Sequence, residues 1–377
     1  MNLAWRDIRY KLERFVLTCL GLSLLLGVVV TMAGIYRGLT ADALALPRSI
    51  QADLWVVQAD TNGPFAETSR IPGDTREMIT RIEGVVAAGS LTLQTVQIEH
   101  NGRRLRLQVV GFEPGRPGGP VKLVAGREIT RSHYELIADR QTGLAVGDRL
   151  EFGRDVYTVV GLTQGSVTFS GDSVVYMTLR DAQYLQFDLT PAEARRETAR
   201  GAQRTNTDIV NAVVARVSPN IPVEAVAADV RRWKHLSVLS EDEQEATLTT
   251  TVIERTQRQI RLFMAVLTIV SAVIITLIIY MLTMEKLREI ATLKLIGAPD
   301  RTIIGLIVQQ ALLMGVVGFV AGTSLVAAAK DWFPRRVVLE VTDLTVLFGL
   351  VVVVCLLASA LGVRAALRVD PARALVG

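Results

Sequence analysis

Residues 344–363 read LTVLFGLVVVVCLLASALGV, without a single Asp, Glu, Lys, Arg or His. About 20 apolar residues is the length a helix needs to cross a bilayer, where no water is available and only helical hydrogen bonding satisfies every backbone group. Three more runs have the same character, Phe15–Tyr36, Leu262–Met284 and Ile303–Ala329. Core helices of a soluble protein would interleave polar residues sooner than these do. Hydrophobic residues make up 50% of the 377-residue chain, more than a soluble domain of this size buries. The first run has a basic flank and is followed by Ala43-Leu44-Ala45, a superficial processing pattern. Its apolar stretch outruns the roughly 7–15 residues of a signal core, so it reads as a span.

Basic residues set the orientation. Arg6, Arg9, Lys11 and Arg14 precede the first run; Lys286, Arg288, Lys294 and Arg301 separate the second and third; Arg364, Arg368 and Arg373 follow the fourth. These three segments are expected in the cytoplasm, with both termini inside. The short loop 330–343 is expected outside, although Lys330, Arg335 and Arg336 accompany Asp331, Glu340 and Asp343 there. The net charge of +4 follows largely from this asymmetry and suggests no nucleic-acid partner. Both cysteines, Cys19 and Cys355, fall inside spans, leaving the external region without a disulfide.

The expected organisation is a cytoplasmic amphipathic helix at 1–14, a span at 15–36, an extracytoplasmic domain at 37–245, and a stalk with the second span at 246–284. A cytoplasmic helical loop at 285–302, a span at 303–329, the outer loop, a span at 344–363 and a cytoplasmic tail at 364–377 complete it. The pattern of residues 1–14 fits an interfacial helix and an extension of the first span equally well.

The fold class is thus a membrane α-helical protein with a mixed α/β domain inserted between its first two spans. Within that domain, strands are expected at 53–58, 89–98, 103–112, 149–152, 156–162, 173–178 and 212–217, all rich in β-branched or aromatic residues. Helices are expected at 74–82, 179–186 and 223–234. Gly153-Arg154-Asp155 reads as a tight hairpin, whereas 111–120 and 191–208 read as loops. Residues 241–261 read as one helix leading into the second span.

No Asp, Glu, Lys, Arg or His lies within the four runs, so the spans lack the groups that proton relays and ion-coupled carriers require. Gln309 and Gln310 are their notable polar pair, suited to bonding between helices or to lining a passage. Small residues recur at packing intervals: Ser23, Gly27 and Thr31, Gly318 with Gly322, and Ala358 with Gly362. No phosphate loop, nucleophile elbow or metal-ligating motif is present, and His100, His133 and His235 are far apart in sequence. Energy for any work is therefore expected from another subunit.

Residues 284–301 read MEKLREIATLKLIGAPDR. Leu287, Ile290, Leu293 and Lys294 make a ridge edged by charge, and Gly297 and Pro299 supply a helix stop. Arg288, Glu289, Ile290, Lys294, Ile296, Gly297 and Ala298 match, in order, the R-E-I-x-x-x-[KR]-x-[ILM]-G-A segment of FtsX-like permeases of the MacB type, which this stretch resembles. The tail from Arg364 to Leu375, with Asp370 and Pro371, is similar to the family's closing A-x-x-x-x-D-P-x-x-A-L. Leu144–Leu150 and Tyr157–Gly161 resemble strands of its extracytoplasmic domain. Taken with the one-plus-three order of spans, the resemblance covers essentially the whole chain. Because the chain begins at the membrane, it is more similar to the stand-alone DevC-like permeases than to MacB, whose ATPase shares its polypeptide.

The resemblance implies a bacterial inner-membrane homodimer bound to two copies of an ABC ATPase, a type VII exporter that works by mechanotransmission. ATPase coupling would fall to Lys286, Leu287, Arg288, Glu289, Ile290, Leu293, Lys294, Gly297 and Ala298, and C-terminal docking to Asp370 and Pro371. Gly27, Gly318 and Gly322 would pack the spans against one another. The chain would bind no cofactor itself, with ATP and magnesium in the partner; membrane lipid, a periplasmic adaptor and an outer-membrane channel are further partners it allows. The cargo would be hydrophobic or amphipathic. The same scaffold also fits a signalling module that relays ATPase state to a periplasmic cell-wall hydrolase or sensor without transport.

Overall fold

A computed structural model describes residues 12–188, 208–286, 292, 296, 299–333 and 335–367. They form two compact units, an inserted domain Leu39–Thr256 and a helical unit made of Met1–Gly38 and Gln257–Gly377. In chain order, α1 (Leu12–Ile50) is followed by β1 (Leu54–Gln58), β2 (Ile71–Pro72), α2 (Thr75–Thr80), β3 (Val85–His100) and β4 (Arg103–Phe112). Next come β5 (Ala125–Gly126), β6 (Glu135–Asp139), β7 (Arg149–Phe152), β8 (Asp155–Thr163), β9 (Ser173–Thr178) and α3 (Leu179–Asp188). After β10 (Ile209–Val210), β11 (Ala212–Val217), α4 (Val223–Arg231) and β12 (Leu236–Ser240), α5 (Glu241–Thr247) and a π-helical segment Leu248–Ile253 lead into α6 (Glu254–Glu285). The last two helices are α7 (Asp300–Ala329) and α8 (Val341–Leu367).

The inserted domain is built on a ten-stranded sheet in the order β12-β1-β11-β3-β4-β9-β6-β8-β5, with β7 paired to β8. Most pairs are antiparallel; β4–β9 and β6–β8 are parallel. The β3–β4 hairpin turns over Asn101 and Gly102, whose φ angles of 50° and 73° are the left-handed pair that a two-residue turn requires. Its register sets Val96 opposite Leu107 and Gln97 opposite Arg106, so one face joins the core and the other stays polar. One core gathers Leu136, Leu150, Phe152, Tyr157 and Met177. A second gathers Trp55, Leu91, Tyr176 and Val214 with Leu46 and Ile50 from the end of α1. A third lies where α2 and α4 contribute Ile79, Val226 and Val230 against Leu54 and Val213.

Each strand and helix expected in this domain coincides with an observed element. Five strands lie outside the sequence reading: the two-residue β2, β5 and β10, and the longer β6 and β12. Of these, β6 begins and ends in carboxylates, Glu135 and Asp139, which are nonetheless buried. Burial is tolerated because each is fully hydrogen-bonded. Glu135 accepts from Arg127 Nη1 and Nη2 at 3.0 and 2.6 Å and from the backbone N–H groups of Thr130 and Arg131 at 3.0 and 3.1 Å. Asp139 accepts from the N–H groups of Gln141 and Ser166 at 2.9 and 2.7 Å.

Four helices are long and apolar enough to cross a membrane, over Phe15–Ile50, Thr256–Glu285, Asp300–Ala329 and Val341–Leu361. Leu22, Leu26 and Val30 of α1 share a core with Ile275 and Ile279 of α6, Met314 and Phe319 of α7, and Val351 and Cys355 of α8. The crossing of α1 and α7 is made by small residues. A Cβ built on Gly322 would lie 2.5 Å from Ser23 O and 3.1 Å from Gly27 N; one on Gly318 would lie 3.1 Å from Leu22 Cβ. A Cβ on Gly27 would be 3.5 Å from Gly322 O, so the two backbones are in near contact there.

The Arg127 guanidinium, aided by the Thr130 and Arg131 amides, lowers the Glu135 carboxyl from the ordinary 4.5 to about 2. A depressed carboxylate stabilises the fold fully above its unfolded value, and that contribution disappears as pH falls through its folded value. Between about pH 4.5 and pH 2 the melting temperature of the purified chain should fall more steeply than that of Glu135→Gln; parallel curves in a thermal-denaturation series would refute the assignment. For the helical unit, Gly322→Leu should lower the melting temperature in detergent by several degrees or more, since backbone must move to admit the side chain. Gly349→Leu, at a glycine with nothing within 4 Å, should leave it unchanged.

Candidate functional site

The loop joining α6 to α7 is where the sequence points to coupling. Leu287, Arg288, Glu289, Ile290, Leu293, Lys294, Gly297 and Ala298 lie outside the described residues, as do Asp370 and Pro371 of the tail and residues 1–11. At the loop's start Lys286 Nζ donates to Gln310 Oε1 at 3.1 Å, giving one of the two span glutamines a partner on a neighbouring segment. Thr292 and Ile296 are exposed, Ile296 at 84%, and Ile296 N donates to Thr292 O at 3.1 Å, the i to i−4 bond of one helical turn. Pro299, extended at φ −68° and ψ 145°, precedes α7, and Asp300 opens its first turn where a negative charge suits the helix dipole.

Two guanidinium pairs fix the long helices, and neither was read from sequence. Arg37 on α1 donates from Nε and Nη2 to the two carboxylate oxygens of Asp343 at 2.6 and 2.8 Å, with Glu340 Oε2 3.2 Å from Nε. This explains the mixed charge of the short loop before α8: its acids neutralise a cation at the end of the first apolar run. Farther along α1, Arg48 donates from Nε and Nη2 to Glu245 of α5 at 2.5 and 2.9 Å. Both are the fork-to-carboxylate geometry that sets orientation as well as distance. Sequence separations of 306 and 197 residues leave no local signal for either.

The segment leading to α6 departs from a simple stalk helix. Ser240 caps α5 by accepting from Glu243 N at 3.2 Å while Glu243 Oε2 accepts from Ser240 N at 3.0 Å, a capping box legible in the S-x-x-E of residues 240–243. Then Thr249, Thr250 and Thr251 each return a hydroxyl bond to the carbonyl four residues earlier, at 2.8, 2.9 and 2.6 Å. Three successive β-branched residues that compete for backbone acceptors loosen the turn, and the helix widens to π geometry over Leu248–Ile253.

Residues 15–233 match the MacB-like periplasmic core domain, and residues 261–371 match the FtsX-like permease C-terminal family. An uncharacterized ABC transporter permease of Mycobacterium tuberculosis is 25% identical over 382 residues, spanning 99% of both chains. Another, of Mycobacterium bovis, is also 25% identical over 382 residues with 99% coverage of each. Among solved structures, the periplasmic region of MacB from Actinobacillus actinomycetemcomitans aligns with a TM-score of 0.37 and 10% identity, covering 54% of this chain and 96% of that one. With one family match over more than half of its length and a second over its C-terminal helices, the chain is an ABC transporter permease of the MacB/FtsX-like family.

Proposed function

We propose that the chain is the permease subunit of a type VII exporter that converts ATP hydrolysis in a separate ATPase into movement of its inserted domain. Two ATPase copies, carrying ATP and magnesium, dock on the 285–302 loop and on the tail around Asp370 and Pro371 of a permease homodimer. The complex sits in the inner membrane with both termini in the cytoplasm and the inserted domain in the periplasm. The chain itself is non-catalytic and binds no cofactor. Its cargo is a hydrophobic or amphipathic molecule, expelled or extracted with the help of a periplasmic adaptor and an outer-membrane channel.

One observation carries this reading: a permease-family chain whose apolar runs hold no Asp, Glu, Lys, Arg or His contains a helix of 39 residues, α1. At 1.5 Å per residue that rod is about 58 Å long. Without a buried charge the spans have no means of harvesting an ion gradient, whereas a helix continuous from the membrane run to Pro47 carries displacement along its axis. Arg37 and Arg48 pin that rod to α8 and α5, each through two hydrogen bonds.

The permease and its ATPase, reconstituted together in lipid, provide the test. Leu293→Asp should cut permease-stimulated hydrolysis at least about tenfold, because a carboxylate on the apolar ridge would have to be buried at the contact. Full stimulation by that variant would sink the docking assignment. Hydrolysis stimulated by a periplasmic cell-wall hydrolase alone, and by no lipid or peptide, would favour the signalling relay over export. Arg48→Glu should weaken stimulation while the ATPase still co-purifies, and adding Glu245→Arg should restore it. Failure of the exchanged pair to recover would remove Arg48 from the coupling route.

A further inference from the structure

The inserted domain holds an open cavity of about 410 Å³, lined in part by the end of α1. Its apolar wall is Leu46 and Pro47 of α1, Leu248 of the π-helical segment, Leu93 of β3, and two aromatic rings, Phe65 and Phe169. Phe65 is held edge-on to the buried Trp55, ring centroids 5.2 Å apart, so its position is fixed from behind. Phe169 is 43% exposed and stands on the loop between β8 and β9. The volume is that of a small-molecule pocket, with apolar walls and a few convergent polar groups.

The charges decide what it suits. Three ionised side chains line it, Glu67, Arg106 and Asp172. Arg106 Nε lies 3.2 Å from Asp172 Oδ2, so those two offset one another. Glu67 accepts from Asn62 N and Nδ2 at 3.2 and 2.8 Å, both neutral donors, so the one basic and two acidic residues of the lining leave a formal charge of −1. An anion entering here would find the guanidinium already engaged and a carboxylate opposing it. A cation would find a lining of net negative formal charge and two aromatic residues, Phe65 and Phe169.

We propose that this cavity is a binding site for a hydrophobic monocation, its charge directed toward Glu67 and the two phenylalanines and its apolar body against Leu46, Leu93 and Leu248. The site is built entirely from the inserted domain, so it stands or falls independently of ATPase coupling. Its occupant would touch the last turns of α1 and the π-helical segment, and π-helical turns within α-helices recur at functional sites.

Tetraphenylphosphonium and tetraphenylborate have nearly the same shape and opposite charge, which makes them the probes of choice. With the full-length chain in lipid nanodiscs, equilibrium dialysis corrected against empty nanodiscs should show saturable uptake of one phosphonium per chain and only linear partition of the borate. Glu67→Gln should weaken phosphonium binding about fivefold. Thr95→Trp, a bulky side chain placed on the cavity wall from an exposed strand position, should abolish saturable binding with the melting temperature unchanged. No saturable phosphonium binding, saturable borate binding of equal strength, or phosphonium binding indifferent to both substitutions would each overturn the proposal.

Discussion

A backbone group left unpaired in hydrocarbon costs several kcal/mol, and the helical unit is organised around never leaving one. Most of its hydroxyls obey the same constraint, the buried Thr323 Oγ1 being an exception. Ser23, Thr31, Thr268, Ser271, Thr276 and Thr283 each donate to a carbonyl three or four residues earlier in the same helix, at 2.7–2.8 Å. Polar groups satisfied this way are withdrawn from helix–helix recognition. Lipid tails are as apolar as the side chains they meet, so association rests on close packing. Hence the importance of Gly27, Gly318 and Gly322, where backbone meets backbone, and of Gly315, where a Cβ would fall 2.5 Å from Cys355 Sγ. The apolar face of α6 behaves differently: Leu262, Val266, Ile269, Val273 and Leu277 are all more than 45% exposed within the chain and need lipid or another chain to cover them.

Where the helices leave the apolar runs, charge takes over from shape. Exposed ion pairs add little to stability, and Arg48 at 60% side-chain exposure is no exception. Their value is directional. Two parallel N–H···O bonds fix the rotation of α5 relative to the end of α1, and the Arg37–Asp343 fork does the same for the start of α8.

The spans and most of the longer strands were legible because their signals are local: long uncharged runs for the first, β-branched and aromatic stretches bounded by turn residues such as Gly153-Arg154-Asp155 for the second. What escaped is non-local. β6 was hidden by its two carboxylates, since a strand bounded by Glu135 and Asp139 looks solvated until Arg127 and four backbone amides are brought to it. β12 is short and runs directly into α5, and its pairing with β1, from Leu54↔Ser240 to Gln58↔Leu236, joins ends of the domain far apart in sequence. The Ser240–Glu243 capping box carried a readable signature, and it places the start of α5 at Glu241. The small-residue spacing at 23, 27, 318 and 322 was visible, but which helices it would join was not, because spacing names a face and not a partner.

Irregularity in the long helices is confined to one region. Among the described residues, the proline inside α1 is Pro47, one turn before its end at Ile50, and the π-helical turns begin at Leu248. Sharp bends in helices occur at such features and seldom elsewhere. Both belong to the inserted domain, and both line its cavity. The proline of α1 and the first residue of the π-helical segment, Leu248, thus share one cavity wall.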